Sequence, residues 1–414
     1  MQNFPIDSVR SRFPALSREV DGQPAVYFDA PGGTQACDAA IGAMIAHLSE
    51  GTANAGGPFA TSIETDRLSD DAHAAIADLL GAQPEEIAFG PNMTSLTFSV
   101  SRALARDWQE GDELIVTRLD HDANVAPWLA VAEDRAMTVR WLDFDPATGR
   151  WTVDDLAALL GPKTRLVALG VASNALGTVN PIADATKLVR ERSDALVYID
   201  AVQSVPHLAT DVVTMGADFV ACSPYKFFGP HQGVLWMNPR LNDRVRAYKV
   251  RPAGDEGAHR FETGTPSFEG QAGVLGTISY LDWLGELADP QANSRRARLV
   301  AAMSAATAYE LELGDRLLAG LATISGLRLW GPATMDARVP TFSFTIRGHE
   351  AHAVADHLAA RGIFAWAGHF YAVEAVARLG LADTGGLLRV GLCHYNTAGE
   401  VDRLIAALRE LAPA

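Results

Sequence analysis

The stretch ACSPYKFFGP, residues 221–230, places a lysine among apolar residues. Lys226 follows the apolar run ADFVACS (217–223) and stands between Tyr225 and Phe227. A lysine at the end of a buried strand loses hydration, which favours its neutral amine. A neutral amine can form an imine with an aldehyde, so the stretch indicates a lysine used in covalent catalysis. The alternative is a lysine whose stem is buried and whose ammonium reaches solvent.

Polar residues also follow other apolar runs. His121 follows IVTRLD, Asn174 follows ALGVAS, Asp200 closes LVYID, and Ser223 follows DFVAC. Ligands of open α/β sheets bind at the carboxyl ends of the strands. We therefore expect these side chains to share one pocket.

The residue types in this set match the parts of a phosphorylated pyridine aldehyde. A carboxylate such as Asp200 can keep a pyridine nitrogen protonated, and an imidazole such as His121 can stack on the ring. The helix start at Met93 and Thr94 offers free backbone N–H groups to a phosphate, and Ser223 adds a hydroxyl. These are the demands of pyridoxal 5'-phosphate. A helix cap at Asp200 and a loop histidine at His121 are the plainer alternatives.

The elements that would position these residues alternate between apolar runs and helical patterns. Strand-like runs of Val, Ile and Leu with helices between them indicate an α/β fold with a mostly parallel sheet covered on both faces. The predicted strands are 85–90, 112–119, 164–173, 195–200, 217–223 and 233–238. The last is expected to pair with 217–223 as a hairpin.

The pattern changes near residue 285. One or two amphipathic helices are predicted from RRARLVAAMSAATAYELELGDRLLAGLATI, followed by strand, helix, strand and a final helix. We predict a large domain over 26–284 and a smaller α+β domain over 285–414. Residues 1–25 are predicted to form a helical segment that packs on the smaller domain.

Composition and motif spacing argue against several classes of protein. A net charge of −16 and a pI near 5.1 argue against a nucleic-acid partner. The three cysteines are far apart in the sequence, which argues against a disulfide framework or zinc cluster, and GHEAHAVADH (348–357) lacks the spacing of a metal motif. No apolar run reaches the roughly 20 residues of a membrane span, so we expect a cytoplasmic protein.

Six stretches together resemble the class V aminotransferase superfamily, and within it the cysteine desulfurase-like branch. They are DHDANVAPW (120–128), SNALGTVNP (173–181), YIDAVQSVPH (198–207), DFVACSPYKFFGPHQGVLW (218–236), FETGTPSFEG (261–270) and RVGLCHYNT (389–397). The resemblance implies a pyridoxal phosphate enzyme of fold type I, with a seven-stranded sheet, an amino-acid substrate and a homodimer.

The resemblance also assigns roles by motif. Lys226 would anchor the cofactor and carry protons, Asp200 would pair with the pyridine nitrogen and His121 would stack on the ring. Arg389 would bind the substrate carboxylate, and Thr265 would reach the partner subunit's cofactor phosphate. The remaining cofactor contacts would come from Met93, Thr94, Asn174, Gln203, Ser223 and Tyr225, with Asn174 also near the substrate.

The chain departs from the resemblance at one position. Desulfurases of this branch use a loop cysteine as sulfur acceptor, and this chain has Tyr371 there, within AWAGHFYAVEA (365–375). Tyrosine cannot replace a thiolate in that role. We therefore expect lyase chemistry, β-elimination from a small amino acid, with Tyr371 near the substrate. Desulfuration, transamination, epimerisation with Tyr371 or His369 as acid, and a non-catalytic binding protein remain alternatives.

Overall fold

The computed structural model describes residues 4–412 and contains two main sheets. The strands are β1 (Glu19–Val20), β2 (Gln23–Pro24), β3 (Val26–Tyr27), β4 (Ile87–Gly90), β5 (Glu113–Thr117), β6 (Thr138–Leu142), β7 (Thr164–Gly170), β8 (Leu196–Asp200), β9 (Phe219–Cys222), β10 (Gly233–Met237), β11 (Leu327–Trp330), β12 (Thr341–Ile346), β13 (Ile363–Phe364), β14 (Trp366–Gly368) and β15 (Leu387–Gly391). The helices are α1 (Ile6–Arg10), α2 (Asp38–Glu50), α3 (Ala60–Leu80), α4 (Met93–Leu104), α5 (Ala126–Asp134), α6 (Val153–Ala157), α7 (Ile182–Arg192), α8 (Val212–Met215), α9 (Phe268–Ala288), α10 (Arg295–Leu321), α11 (Ala351–Ala359), α12 (Val373–Arg378) and α13 (Ala398–Arg409).

The large sheet has seven strands in the order β4-β10-β9-β8-β7-β5-β6. Only β10 runs antiparallel to its neighbours, and it forms the predicted hairpin with β9. The central strands are apolar and almost wholly buried because helices cover both faces of the sheet. The predicted α/β class with a mostly parallel seven-stranded sheet is confirmed.

Strand β6 was not predicted from the sequence. It lies at the edge of the sheet, and its residues TVRWL alternate between exposed and half-buried positions up to the buried Leu142. An edge strand needs no continuous apolar run, so this segment lacked the signal of the central strands.

The second sheet is antiparallel, in the order β11-β12-β15-β14. The long pattern from residue 295 forms the single helix α10 rather than two helices. The proposed boundary at 284/285 lies inside α9. In the N-terminal segment, the Arg10 guanidinium donates to the Tyr395 carbonyl at 2.6 Å and pairs with Glu400 at 2.9 Å, which supports its packing on the C-terminal part.

Strand β3 pairs in parallel with β13, so residues 26 and 27 join the C-terminal part although the proposed division places them in the large domain. No helix of the described residues is long and apolar enough to cross a membrane.

Candidate active site

A pocket of about 530 Å³ lies at the carboxyl ends of β5, β7, β8 and β9. Parallel strands bring their carboxyl ends to one edge of the sheet, so residues distant in sequence meet there. The predicted cofactor residues that line it are Met93, Thr94, His121, Asn174, Asp200, Gln203, Ser223, Tyr225 and Lys226. Thr265 is the exception, because it lies on an exposed loop outside this pocket.

Lys226 occupies a short 3-10 turn, Pro224–Lys226, directly after β9. Its side chain is buried, and its Nζ donates to the Pro31 carbonyl. The pKa of Lys226 is lowered to about 7, mainly by burial. The Arg389 cation also lowers this pKa, and its effect is larger than the opposite effect of the Asp200 carboxylate. A substantial fraction of neutral amine near neutral pH is what a nucleophilic lysine requires.

Asp200 is the last residue of β8, and its carboxylate accepts the Val202 N–H at 2.8 Å. Burial raises the pKa of Asp200 to about 6. A protonated ring nitrogen would supply the opposite charge that favours its ionised form. The buried oxygens Gln203 Oε1 and Asn174 Oδ1 have no hydrogen-bond partner among the described residues, so both are free to meet a bound group.

The amino end of α4 borders the pocket through Asn92, Met93 and Thr94. Asn92 caps this helix by accepting the Ser95 N–H at 2.8 Å, and the Met93 N–H meets Ser223 Oγ at 3.2 Å. The first N–H groups of a helix have no partner within it, and the helix dipole favours an anion there. A Cβ at Gly233 would collide with the Asn92 backbone, so this glycine permits the close approach.

His121 lines the pocket, and its imidazole is neutral near pH 7. Its Nδ1 accepts the Ala123 N–H at 3.0 Å, and burial, with Lys226 and Arg389 nearby, lowers its pKa to about 3. The Tyr371 ring stacks on it with centroids 5.5 Å apart. A neutral imidazole can stack on an aromatic cofactor without adding charge.

Arg389 projects from the middle of β15 and is buried. Its Nη1 donates to the Asn174 carbonyl at 2.8 Å, and the Phe370 ring covers the guanidinium at 4.2 Å. Its Nε has no partner among the described residues, and burial lowers its pKa to about 9. A buried guanidinium with an unused donor suits a carboxylate ligand.

The loop that carries Tyr371 is closed against the pocket. Asn174 Nδ2 donates to the Phe370 carbonyl at 2.9 Å, and the Asp122 N–H donates to the Tyr371 carbonyl at 2.7 Å. Phe370 and Tyr371 both have positive φ, +54° and +58°, which is unfavourable for residues with a Cβ. These bonds hold the loop in that conformation.

Several residues of the site were not predicted. Asp120 accepts Asn124 Nδ2 at 2.8 Å and the Gly170 N–H at 3.1 Å, and burial together with Asp200 raises its pKa well above the usual range. Asp120 directly precedes His121 in the sequence, and this position could have identified it as a candidate site residue. Pro31 and Phe370 contribute backbone carbonyls, which no side-chain pattern reveals.

None of the three cysteines lines the pocket. Cys37, Cys222 and Cys393 are buried, and Cys37 is the residue directly before α2. Burial raises the pKa of Cys37 to about 11 and raises the pKa of the other two thiols as well. These thiols therefore stay protonated at neutral pH and are poor nucleophiles.

The site fits pyridoxal phosphate: an amine for the aldehyde, a carboxylate for the ring nitrogen and a helix terminus for the phosphate. A model of the family described as aminotransferase class-V matches residues 26–404. The chain is 33% identical to the aminotransferase-like protein FGM3 of Gibberella zeae, covering 98% of both chains, and 32% identical to a cysteine desulfurase of Yersinia pestis, covering 99% of this chain and 98% of the relative.

Solved structures agree in fold. The cysteine desulfurase CsdA of Escherichia coli superposes with a TM-score of 0.82 at 26% identity, over 99% of this chain and all of that one. The apo cysteine desulfurase of Thermococcus onnurineus NA1 gives 0.87 at 24% identity, over all of this chain and 99% of that one. The chain therefore belongs to the aminotransferase class-V family, and it is a pyridoxal phosphate-dependent, cysteine desulfurase-like enzyme.

Proposed function

We propose that this enzyme is a lyase that removes a β-substituent from an α-amino acid without using a thiol of its own. The observation that carries the proposal is the residue beside His121: Tyr371 stacks on this pocket-lining histidine where the resemblance places a cysteine, and the three cysteines are buried elsewhere. A desulfurase would need a thiolate within reach of the substrate.

In this reaction each site residue has a separate role. Arg389 binds the α-carboxylate, and the bound cofactor supplies an electron sink for the α-carbon, supported by the Asp200 charge. The Lys226 amine takes the Cα proton, and the electron pair left at Cα forms the Cα–Cβ double bond. The substituent then leaves with the electron pair of its bond to Cβ. Hydrolysis of the unsaturated product gives a 2-oxo acid and ammonia.

The homodimer is part of this proposal. The exposed Thr265 is free to reach a partner's cofactor phosphate. Helix α2 exposes Ile41, Ile45 and Leu48, an apolar surface suited to burial between subunits. Sedimentation of the holoenzyme tests the dimer, and Thr265→Ala should weaken cofactor retention if the threonine reaches the partner.

We also propose a cytoplasmic location, supported by three unpaired cysteines.

The reaction is tested by mass spectrometry of the products formed by the holoenzyme from L-cysteine and from β-chloro-L-alanine, a probe with a good leaving group. Pyruvate is expected, and its yield should be unchanged after thiol alkylation. Lys226→Ala should abolish it. Alanine and sulfide from L-cysteine would show desulfuration and overturn the proposal, as would the absence of pyruvate from β-chloro-L-alanine.

Tyr371→Cys and Tyr371→Ser provide a matched pair for the loop position. If the missing thiol is what separates this chain from a desulfurase, only the cysteine variant should gain alkylation-sensitive alanine formation from L-cysteine. Alanine formation by the serine variant as well would show that loop opening, rather than a thiol, controls the outcome.

A further inference from the structure

A second cleft, of about 1200 Å³, adjoins the active-site pocket. Tyr225 lines both spaces, so the two share a wall. Trp366 also lines this cleft, and on β14 it stands directly opposite Arg389 of β15. Side chains directly opposite each other on antiparallel strands point to the same face of the sheet. The cleft therefore begins beside the residue that would hold the substrate carboxylate.

The charges on the cleft wall are negative. Asp29 and Glu269 contribute carboxylates, and no lysine or arginine is among the described residues that line the cleft. The buried Asp29 Oδ1 has no hydrogen-bond partner among the described residues. Glu269 accepts the Ser267 hydroxyl at 2.6 Å, a bond that lowers the pKa of the Glu269 carboxyl and keeps it ionised.

The Arg389 cation does not compensate Asp29 fully. Burial raises the pKa of Asp29 to about 6 in spite of that cation. A second positive charge would therefore interact favourably with the Asp29 carboxylate, whose Oδ1 has no hydrogen-bond partner among the described residues.

Aromatic rings complete the cleft. The Tyr225 ring is stacked on His231 with centroids 4.9 Å apart, and the Trp366 side chain is half exposed. Gly32 lies under the indole, where an added Cβ would collide with Trp366 Nε1. Aromatic faces beside carboxylates attract organic cations.

We propose that this cleft receives a positively charged group, an amine or a guanidinium, at the far end of the substrate's side chain. The inference rests on the proposed function, because the α-carboxylate must be held at Arg389 for the side chain to enter the cleft. In the elimination, the cationic group would belong to the substituent that leaves from Cβ.

The test measures binding to the holoenzyme by the change in cofactor absorbance, which needs no turnover. L-lysine is compared with L-norleucine, which lacks only the terminal ammonium, and L-arginine is compared with L-citrulline, which has the same length without the charge. The cationic member should bind about tenfold more tightly, the effect expected for a hydrogen bond to a charged group. Turnover is compared with S-(2-aminoethyl)-L-cysteine and S-propyl-L-cysteine, with the same preference expected in kcat/KM.

Asp29→Asn and Glu269→Gln, separately and together, should move the lysine-to-norleucine ratio towards one. A substitution that disturbed carboxylate binding by Arg389 would weaken the binding of both ligands equally and leave the ratio of their affinities unchanged. Glu312→Gln, an exposed residue outside the cleft, removes the same charge as a control and should keep the wild-type ratio. Equal binding within both ligand pairs, or a ratio unchanged in the double variant, would overturn this inference alone. No absorbance change with any amino acid would instead refute the proposed function.

Discussion

Replacement of Lys226 by methionine should stabilise the apoenzyme at low pH. Burial lowers the pKa of Lys226 from 10.5 to about 7. One pKa unit corresponds to about 1.4 kcal/mol, so holding the charged lysine in the fold costs up to about 5 kcal/mol below pH 7. The unfolded chain keeps this proton up to about pH 10.5, so the penalty shrinks as the pH rises from 7 to 10.5 and then disappears.

The variant also loses a hydrogen bond. Lys226 Nζ donates to the Pro31 carbonyl, and an unpaired buried carbonyl costs about 1–3 kcal/mol at every pH. The two effects oppose each other. We therefore expect the Lys226→Met apoenzyme to be more stable than wild type at pH 6 by about 2–4 kcal/mol, and slightly less stable at pH 10. The sign should change between about pH 8 and 10.

Urea denaturation of both apoenzymes at pH 6, 8 and 10 measures this difference. Lys163→Met, at an exposed lysine, is the matched control and should stay within about 0.5 kcal/mol of wild type. A Lys226→Met enzyme less stable than wild type at pH 6, or a stability difference that does not change with pH, would refute the conclusion that burial favours the neutral amine.

Two further predictions concern Asp200 and His73. Asp200→Asn removes the charge that keeps the ring nitrogen protonated, so turnover should fall by about 100-fold or more while the absorbance of bound cofactor persists; unchanged turnover would contradict that role. His73 Nε2 pairs with Glu262 at 2.8 Å, and although burial opposes its charge, this partner raises the pKa of His73. A raised pKa stabilises the fold below about pH 6.5, and this stabilisation is lost as the pH rises through the pKa of the folded state. His73→Gln should therefore lower Tm by about 1 °C more at pH 6 than at pH 9. An equal loss at both pH values would exclude the ion pair as the cause.

The sequence predicted the central strands because a strand buried on both faces must be apolar along its length. Strands β7, β8 and β9 have this pattern, and their carboxyl ends carry Asn174, Asp200 and Ser223 into one pocket. The short strands β13 and β14 carry too few residues for any periodicity to appear.

The parts of the site that escaped prediction act through the backbone or through their surroundings. Pro31 and Phe370 offer carbonyl oxygens, which every residue type possesses. The sequence pattern did not single out Asp29, because its significance comes from burial without a full counter-charge. Neither property can be read from residue type and spacing.

The electrostatics of the pocket argue against a retired, non-catalytic site. Burial shifts the pKa of four groups near the pocket in the direction that favours the neutral form: Lys226, Arg389, Asp200 and Asp29. In its charged state, each group therefore destabilises the folded protein when no ligand is bound. Removal of such a charge, as in Lys226→Met at low pH, is expected to favour folding alone. A ligand that supplies the missing partners binds only the folded state and so recovers stability in proportion to its affinity. Two cations and two carboxylates that compensate one another only in part are therefore best explained by a cofactor and a zwitterionic substrate that complete their pairing.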